Sequence, residues 1–288
     1  MSAPTATLKL GGDLEVRRLG FGAMRITGSG VWGEPDDPAA ARELLRRVVQ
    51  AEVNLIDTAD SYGPEVSENL IAQALHPYPE GLVIATKGGF TRPGPGVWNP
   101  AGRPERLKRC CEDSLRRLKL ERIDLYQLHT VDPQVPIEDS VAALAELQEE
   151  EKIRHIGLSN VTVDQLERAQ QVAPVVSVQN RYNVADRGSE EVLEACEETG
   201  LAFLPWFPLG TGRLTGHGGP LDEVAQAHSA TPAQVALAWL LARSPVTLPI
   251  PGTSSIAHFE ENLESTELEL SQEEMALLNE LGSADSRG

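Results

Sequence analysis

The chain has 288 residues, of which 41% are hydrophobic, which is enough for one large α/β domain or two smaller ones. Its net charge of −18 argues against a nucleic-acid partner, because phosphate backbones are bound through clustered Lys and Arg. No apolar run approaches the roughly 18 residues that a membrane span needs, and the N-terminus lacks the basic-then-apolar pattern of a signal peptide. We therefore expect a cytoplasmic protein that contacts neither nucleic acid nor a membrane.

The predicted elements alternate along the chain. Short apolar runs on either side of a Gly-Gly-Asp turn predict a hairpin over residues 6–17. Over residues 19–252, strand-like and helix-like patterns alternate, with strands predicted at 19–24, 54–59, 82–87, 123–129, 153–160, 175–180, 202–206 and 246–252. Eight alternations are typical of a (β/α)8 TIM barrel, and a doubly wound open sheet is the main alternative.

Residues 256–281 follow the predicted barrel and carry helical periodicity, so we expect extra C-terminal helices there. No low-complexity tract or long Gly/Ser linker divides the sequence, and residues 1–288 are predicted to form a single barrel domain whose hairpin closes the bottom. The three cysteines are expected to be reduced, and no ligand spacing predicts a metal site.

A literal GxGxxG motif occurs at residues 28–33, and Asp57 follows at the distance of a ribose-binding acid. A dinucleotide-binding helix should begin at such glycines, so that its first amides meet the pyrophosphate. Here Glu-Pro-Asp-Asp-Pro intervenes at 34–38 and brings three carboxylates to that place. We interpret residues 28–33 as a flexible loop above the first strand, with Trp32 available to line a pocket.

Four chemically active side chains follow successive predicted strands. Asp57 lies near the end of the second strand with Tyr62 just beyond it, Lys87 ends the third strand, and His129 ends the fourth. Because the carboxyl ends of barrel strands share one rim, these residues should converge. An ammonium about 4 Å from a phenol favours the phenolate by on the order of 4 kcal/mol. Asp57 would keep Lys87 charged, and the group would protonate a developing alkoxide.

The segments NLIDTADSYG, IATKGG, DLYQLH and HIGLSNV resemble the signatures of the aldo-keto reductase family. The resemblance implies that Tyr62 is the general acid, that Lys87 and Asp57 tune it, and that His129 orients the carbonyl. It also implies hydride delivery from a nicotinamide cofactor extended across the barrel mouth.

The same resemblance implies a set of cofactor-binding residues. They are Gly22, Ala23, Met24 and Asp57; Ser159, Asn160 and Gln179 at the carboxamide; Trp206 stacked on the ring; Pro208, Leu209, Gly210, Gly212 and Arg213 over the pyrophosphate; and Gly252, Thr253, Ser254, Ser255, His258, Glu261 and Asn262 around the adenosine phosphate. Gly252 and His258 stand where the family often has lysine and arginine, which predicts weaker discrimination for the 2′-phosphate. We expect NADPH, with NADH possible.

The overall sequence resembles the bacterial pyridoxal-reductase-like members of the family. That likeness implies reduction of a small aromatic or heterocyclic aldehyde of the pyridoxal type, or a ketone, to the alcohol. Trp32, Phe90 and Trp98, with Tyr62 and His129, are the predicted substrate-lining residues. Two alternatives remain open, a cofactor-binding regulatory protein on the same barrel and a Schiff-base aldolase that uses Lys87. The oligomeric state is open, and a monomer is plausible.

Overall fold

The computed structural model describes residues 7–210 and 219–284. Its strands are β1 (Thr7–Leu10), β2 (Leu14–Arg17), β3 (Phe21–Gly22), β4 (Leu55–Asp57), β5 (Val83–Gly88), β6 (Phe90–Thr91), β7 (Asn99–Pro100), β8 (Ile123–Leu128), β9 (Ile153–Ser159), β10 (Val175–Gln179) and β11 (Ala202–Phe203). Seven of them form one curved parallel sheet in the order β11-β10-β9-β8-β5-β4-β3. This sheet is the wall of the predicted barrel.

The eighth barrel position is filled by residues 246–251. Phe203 of β11 donates its amide to Val246, Leu248 donates back to Phe203, and on the other side Gly20 and Gly22 donate to the carbonyls of Pro249 and Pro251. The segment thus bonds to both ends of the sheet and closes the barrel. It is not the regular strand predicted over 246–252, because its two prolines have no amide hydrogen to donate to a ladder.

The predicted N-terminal hairpin is confirmed by the antiparallel pairing of β1 and β2. Leu10, Leu14 and Val16 are buried in a cluster with strand residues that include Leu55 and Leu125. The hairpin therefore places its apolar side chains against the interior of the barrel and closes the bottom.

The helices are α1 (Pro38–Gln50), α2 (Val66–Leu75), α3 (Pro104–Leu118), α4 (Ile137–Glu149), α5 (Val163–Gln170), α6 (Glu190–Thr199), α7 (Pro220–Ala227), α8 (Pro232–Arg243), α9 (Ile256–Glu264) and α10 (Gln272–Ala284). Asp37 and Thr162 cap α1 and α5 by accepting hydrogen bonds from amides of the first turn of each helix. Within 7–210 and 219–284, no helix is both long enough and apolar enough to cross a membrane.

The glycine motif at 28–33 forms a loop, as predicted, and α1 begins only at Pro38. Gly28 donates to the Gly33 carbonyl at 3.0 Å. A Cβ at Gly28 would collide with the Trp32 carbonyl and lie 2.6 Å from the Glu34 carbonyl oxygen. The close backbone approach explains this glycine without a phosphate ligand.

One arginine ties the start of the barrel to its closing segment. Arg18 Nη2 donates to the carbonyls of Leu241 at 2.8 Å and Ser244 at 2.6 Å, and its Nε donates to the Thr247 carbonyl at 3.2 Å. These carbonyls lie at the end of α8 and in the turn after it. Arg18 thereby supplies donors that the end of the helix lacks.

We expect Arg18→Met to lower the free energy of unfolding by about 2–3 kcal/mol, because several partly buried carbonyls lose a charged donor. Arg46→Met is the matched control, since Arg46 pairs with exposed Glu43 on its own helix, and it should change stability by less than about 0.5 kcal/mol. Urea unfolding of both variants measures this. Equal losses would show that the Arg18 hydrogen bonds do not stabilise the closure.

Candidate active site

A buried ion pair lies at the floor of the barrel mouth. Lys87 Nζ at the end of β5 is 2.6 Å from Asp57 Oδ2 at the end of β4, and the two side chains are 0% and 3% exposed. Lys87 Nζ also donates to the Thr58 carbonyl at 2.8 Å. Asp57 Oδ1 accepts from the Nε2 atoms of Gln127 and Gln179, both at 2.9 Å. The pair is therefore fully hydrogen-bonded within the barrel.

Tyr62 lies above this pair, on the loop between β4 and α2. Its Oη is 3.4 Å from Lys87 Nζ, and the ring centroid is 5.1 Å from the same nitrogen. Burial raises the pKa of the Tyr62 phenol, and this effect exceeds the opposing charge of Lys87. The lowering by Lys87 that the sequence predicts is present, but the net pKa is above its ordinary value. Tyr62 therefore carries its proton in the ligand-free site.

Lys87 is held in its charged form and His129 in its neutral form. Burial works to lower the pKa of Lys87, but the charges and hydrogen bonds of Asp57 and Tyr62 outweigh it, and the net pKa is raised. The pKa of His129 lies well below its ordinary value because of burial and, after it, the positive charges of Lys87 and Arg92. The site thus holds an ammonium beside a neutral imidazole.

His129 follows β8 directly, and its amide donates to the Gly88 carbonyl at 2.9 Å. Its Nδ1 is 3.3 Å from Ser61 Oγ, and its ring centroid is 5.7 Å from that of Tyr62. Sequence analysis missed Ser61. Its position one residue before Tyr62, on the loop that the site requires, was the available signal.

Aromatic side chains line the site beside Tyr62. The centroid of Phe90 lies 4.7 Å from that of His129 and 5.4 Å from that of Trp98, and Trp98 lies 6.4 Å from Tyr62. All three pairs meet edge to face, the arrangement that aromatic rings prefer. The guanidinium of Arg92 covers Trp98 at 3.5 Å. Together these rings form an apolar slot next to Tyr62.

These groups line a cavity of about 630 Å³ at the barrel mouth. Fifteen of the predicted site residues line it: Gly22, Met24, Asp57, Tyr62, Phe90, Trp98, His129, Ser159, Asn160, Gln179, Trp206, Pro208, Leu209, Gly210 and Gly252. Sequence analysis missed five further lining residues: Arg25, Val31, Phe207, Ile250 and Pro251. Each lies one or two positions along the chain from a predicted residue, so adjacency was the available signal.

Nine predicted site residues do not line the cavity: Ala23, Trp32, Lys87, Thr253, Ser254, Ser255, His258, Glu261 and Asn262. Lys87 is fully buried behind Asp57 and Tyr62. Trp32 instead bridges to Gly63 and lies 5.7 Å from the Arg92 guanidinium. The predicted residues Gly212 and Arg213 lie outside the residues that the structure describes.

The last six of the nine residues outside the cavity lie before or within α9, which begins at Ile256. Thr253, Ser254 and Ser255 precede the helix, and His258, Glu261 and Asn262 belong to it. Ser255 caps the helix by accepting from the His258 amide at 3.4 Å, and its own amide donates to Thr253 Oγ1 at 3.0 Å. Glu261 accepts from Thr231 Oγ1 at 2.7 Å, and Asn262 is buried. The helix N-terminus predicted for the adenosine phosphate is therefore present.

A donor and an acceptor remain for a carboxamide at the back of the cavity. Asn160 is fully engaged, because its Nδ2 donates to the His129 carbonyl and to Ser159 Oγ, while its Oδ1 accepts from Trp206 Nε1 at 3.0 Å. Gln179 Nε2 donates a hydrogen bond to Asp57 Oδ1. Within the described residues, the hydroxyl hydrogen of Ser159 and Oε1 of Gln179 are left without a partner. This donor–acceptor pair beside the Trp206 ring fits a nicotinamide amide.

The fold and the site define an NAD(P)H-dependent oxidoreductase built on a parallel barrel. The chain belongs to the aldo/keto reductase family, whose sequence model matches residues 18–283. It is 50% identical to an uncharacterized oxidoreductase of Schizosaccharomyces pombe, over 99% of this chain and 92% of that protein. It is 44% identical to pyridoxine 4-dehydrogenase of Escherichia coli, over 97% of this chain and 98% of that protein.

Solved structures show the same fold. A thermostable aldo-keto reductase in complex with the inhibitor epalrestat is 35% identical, with a TM-score of 0.86 over 96% of this chain and 100% of that one. An aldo-keto reductase of Klebsiella pneumoniae in complex with NADPH is 28% identical, with a TM-score of 0.80 over 97% of this chain and 95% of that one. The predicted barrel and family are thereby confirmed.

Asp60 lies three residues after Asp57 but outside this site, near Cys110 of α3. Its side chain is buried, and its Oδ1 has no hydrogen-bond partner among the residues that the structure describes. Burial, and then the charge of Glu68, raise the pKa of Asp60 to about 7, against smaller lowering effects of Cys110 and two arginines. The folded chain thus binds this proton more tightly than the unfolded chain. Stability should fall as pH rises from the unfolded value of 3.8 to about 7.

We expect Asp60→Asn to gain stability relative to the unmodified protein as pH rises, by about 2 kcal/mol between about pH 5 and about pH 8. The amide removes the buried charge and keeps the shape of the side chain. Urea unfolding at both pH values measures the difference, with exposed Asp36→Asn as the control. A stability difference for Asp60→Asn that does not change with pH would contradict the raised pKa.

Proposed function

We propose that the protein is an NADPH-dependent carbonyl reductase that reduces a small aromatic or heterocyclic aldehyde, of the pyridoxal type, to the alcohol. The observation that carries the proposal is a protonated phenol 3.4 Å from a buried ammonium, at the floor of an aromatic slot. A cytoplasmic location remains a prediction from the sequence, and the oligomeric state stays open.

Tyr62 is the proposed acid. A nicotinamide held in this cavity would supply the hydride. Tyr62 Oη is proposed to donate its proton as negative charge develops on the carbonyl oxygen. The resulting phenolate faces Lys87 Nζ, an attraction on the order of 4 kcal/mol at this separation and an effective dielectric near 20. Burial, which keeps the proton on Tyr62 beforehand, also strengthens this attraction. Asp57 keeps Lys87 charged through the reaction.

His129 is the proposed orienting group. Its low pKa favours the neutral ring, which has one N–H to donate. When Ser61 donates its hydroxyl to Nδ1, that N–H lies on Nε2 and can donate to the carbonyl oxygen. A neutral donor holds the substrate without offering a second acidic proton. Ser61 is thereby proposed to select the tautomer.

The substrate class is supported by the slot and by one relative. Phe90, Trp98 and the ring of Tyr62 offer edges and faces to a flat ring, and Arg92 over Trp98 adds positive charge near the slot. The relative named pyridoxine 4-dehydrogenase is 44% identical to this chain. A flat heterocycle with polar substituents fits both observations.

The first assay follows the loss of NADPH absorbance with pyridoxal, 4-nitrobenzaldehyde and an aliphatic ketone, with NADH run in parallel. We expect turnover of both aldehydes and a slower reaction of the ketone, which lacks a ring for the slot. Cofactor binding without turnover on a wider carbonyl panel would favour the regulatory alternative.

The aldolase alternative is disfavoured by the state of Lys87. A Schiff base requires a neutral amine that the substrate can reach. Lys87 is 0% exposed, its Nζ contacts Asp57, the Thr58 carbonyl and Tyr62, and its pKa is raised. An ammonium held this way is a poor nucleophile.

Arg25 is proposed to replace the cation that Gly252 does not provide. A Cβ built on Gly252 would lie 3.5 Å from Arg25 Cγ, and both residues line the cavity. Arg25 is exposed, and within the described part of the chain it forms no ion pair. Its guanidinium can therefore bind a phosphate near the start of α9. This supports a preference for NADPH that the sequence departures at Gly252 and His258 would otherwise weaken.

Tyr62→Phe should lower kcat by at least about a hundredfold, the usual range for loss of a general acid. NADPH affinity, measured by fluorescence titration, should change by less than about twofold, because the hydroxyl is proposed to act on the carbonyl alone. Tyr78→Phe removes the same hydroxyl at a distant site, where it donates to the Leu118 carbonyl, and should leave kcat unchanged. Equal kcat in the two variants would remove Tyr62 from the acid role.

Arg25→Gln should weaken NADPH binding by about tenfold and NADH binding by less than about threefold, because only NADPH carries the 2′-phosphate. His258→Arg should have the opposite effect and strengthen NADPH more than NADH. Fluorescence titration of both cofactors gives the four affinities. If Arg25→Gln weakens both cofactors equally, its partner is the pyrophosphate and the assignment to the 2′-phosphate is wrong.

A further inference from the structure

A second cavity of about 630 Å³ lies beside the active site. It is formed by the loop after β4, the β6–β7 hairpin and α3. Phe90 lines both cavities, but Tyr62, Trp98 and His129 line only the first. Four arginines face the second cavity: Arg92, Arg106, Arg109 and Arg117. Three carboxylates also line it, Asp60, Glu65 and Asp113; Glu65 pairs with Arg117, and Asp113 pairs with Arg116.

Two of these arginines form no direct ion pair, although the charge of Arg106 acts on Asp60 in the same cavity and lowers its pKa. Arg117 is bound to Glu68 at 2.6 Å, whereas Arg106 and Arg109 form no ion pair with a carboxylate in residues 7–210 and 219–284. Arg106 Nη2 donates to the Phe90 carbonyl at 3.2 Å, which fixes the guanidinium, but its Nε is buried without a partner. A fixed guanidinium with free donors is the usual recognition group for a carboxylate or phosphate.

The same cavity also contains a carboxyl group with an unpaired oxygen atom. Asp60 lines it and is 9% exposed, and its Oδ1 is buried with no partner in the described part of the chain. A carboxylate oxygen in this state needs a hydrogen-bond donor. The cavity thus offers an unpaired guanidinium to an anion and an unpaired carboxyl group to a donor. A ligand that carries both groups a few bonds apart would satisfy the two together.

We propose that this cavity binds a small 2-hydroxy or 2-amino carboxylic acid. Its carboxylate pairs with Arg106 and Arg109, and its hydroxyl or ammonium group donates to Asp60. The proposal is independent of the reductase function, because it concerns binding outside the active site. A ligand of four carbons is far smaller than the cavity and needs no opening of the barrel.

Succinate, malate and aspartate make a matched series of probes, because they differ only in the hydrogen, hydroxyl or ammonium at one carbon. Calorimetric titration of the full chain should give saturable binding of malate and aspartate, each about tenfold tighter than succinate. Asp60→Ala should bring all three within about twofold of one another, because the acceptor is lost. This selective loss distinguishes a hydrogen bond from general attraction to the arginines.

Arg106→Gln should weaken all three probes by at least about tenfold, and Arg122→Gln, which removes an equal charge from an exposed position, should leave them unchanged. If Arg106→Gln does not fold, exposed Arg109→Gln replaces it. The proposal fails if none of the probes saturates, if Arg122→Gln weakens them as much as the cavity variants do, or if the preference for malate and aspartate survives Asp60→Ala.

Discussion

The buried ion pair of Lys87 and Asp57 is the interaction on which the rest of the structure depends. Removing one partner of such a pair commonly costs about 3–5 kcal/mol, because a buried charge is left uncompensated. Asp57 also accepts from Gln127 on β8 and Gln179 on β10, so one hydrogen-bond network joins four strands across the barrel interior. The same contacts therefore join the strands of the barrel and position the site residues.

The same pair determines which neighbouring groups can carry charge. With Lys87 fixed as an ammonium, a second cation close by is unfavourable, and burial already disfavours a charged imidazole at His129. Burial also disfavours a phenolate at Tyr62, whereas the charge of Lys87 would stabilise the phenolate that the proposed reaction forms. Burial thus favours the protonated phenol in the resting site, and the fixed charge of Lys87 favours the phenolate of the proposed reaction. No metal cluster is found in the described residues, and this arrangement does not require one.

Sequence analysis predicted the convergence of Asp57, Tyr62, Lys87 and His129 because parallel strands bring their carboxyl ends to one rim. It could not resolve side-chain direction in loops, where no periodicity applies. Val31 lines the cavity and Trp32 does not, because the left-handed backbone at Val31, with φ of 56°, turns the chain between them. The closing segment at 246–251 was predicted as a strand from its apolar residues, although its prolines prevent a regular ladder.

The loop after β4 explains why two aspartates three residues apart differ so much. Asp57 ends the strand and is paired inside the barrel, whereas Asp60 belongs to the wall between the two cavities. That wall is thin at Ser61, whose Oγ contacts His129 Nδ1 at 3.3 Å while its carbonyl accepts from Arg92 Nη1 at 2.8 Å. A shift of this one residue would change the imidazole's hydrogen bond and the arginine-lined cavity together. The two cavities therefore share the backbone segment that contains Ser61.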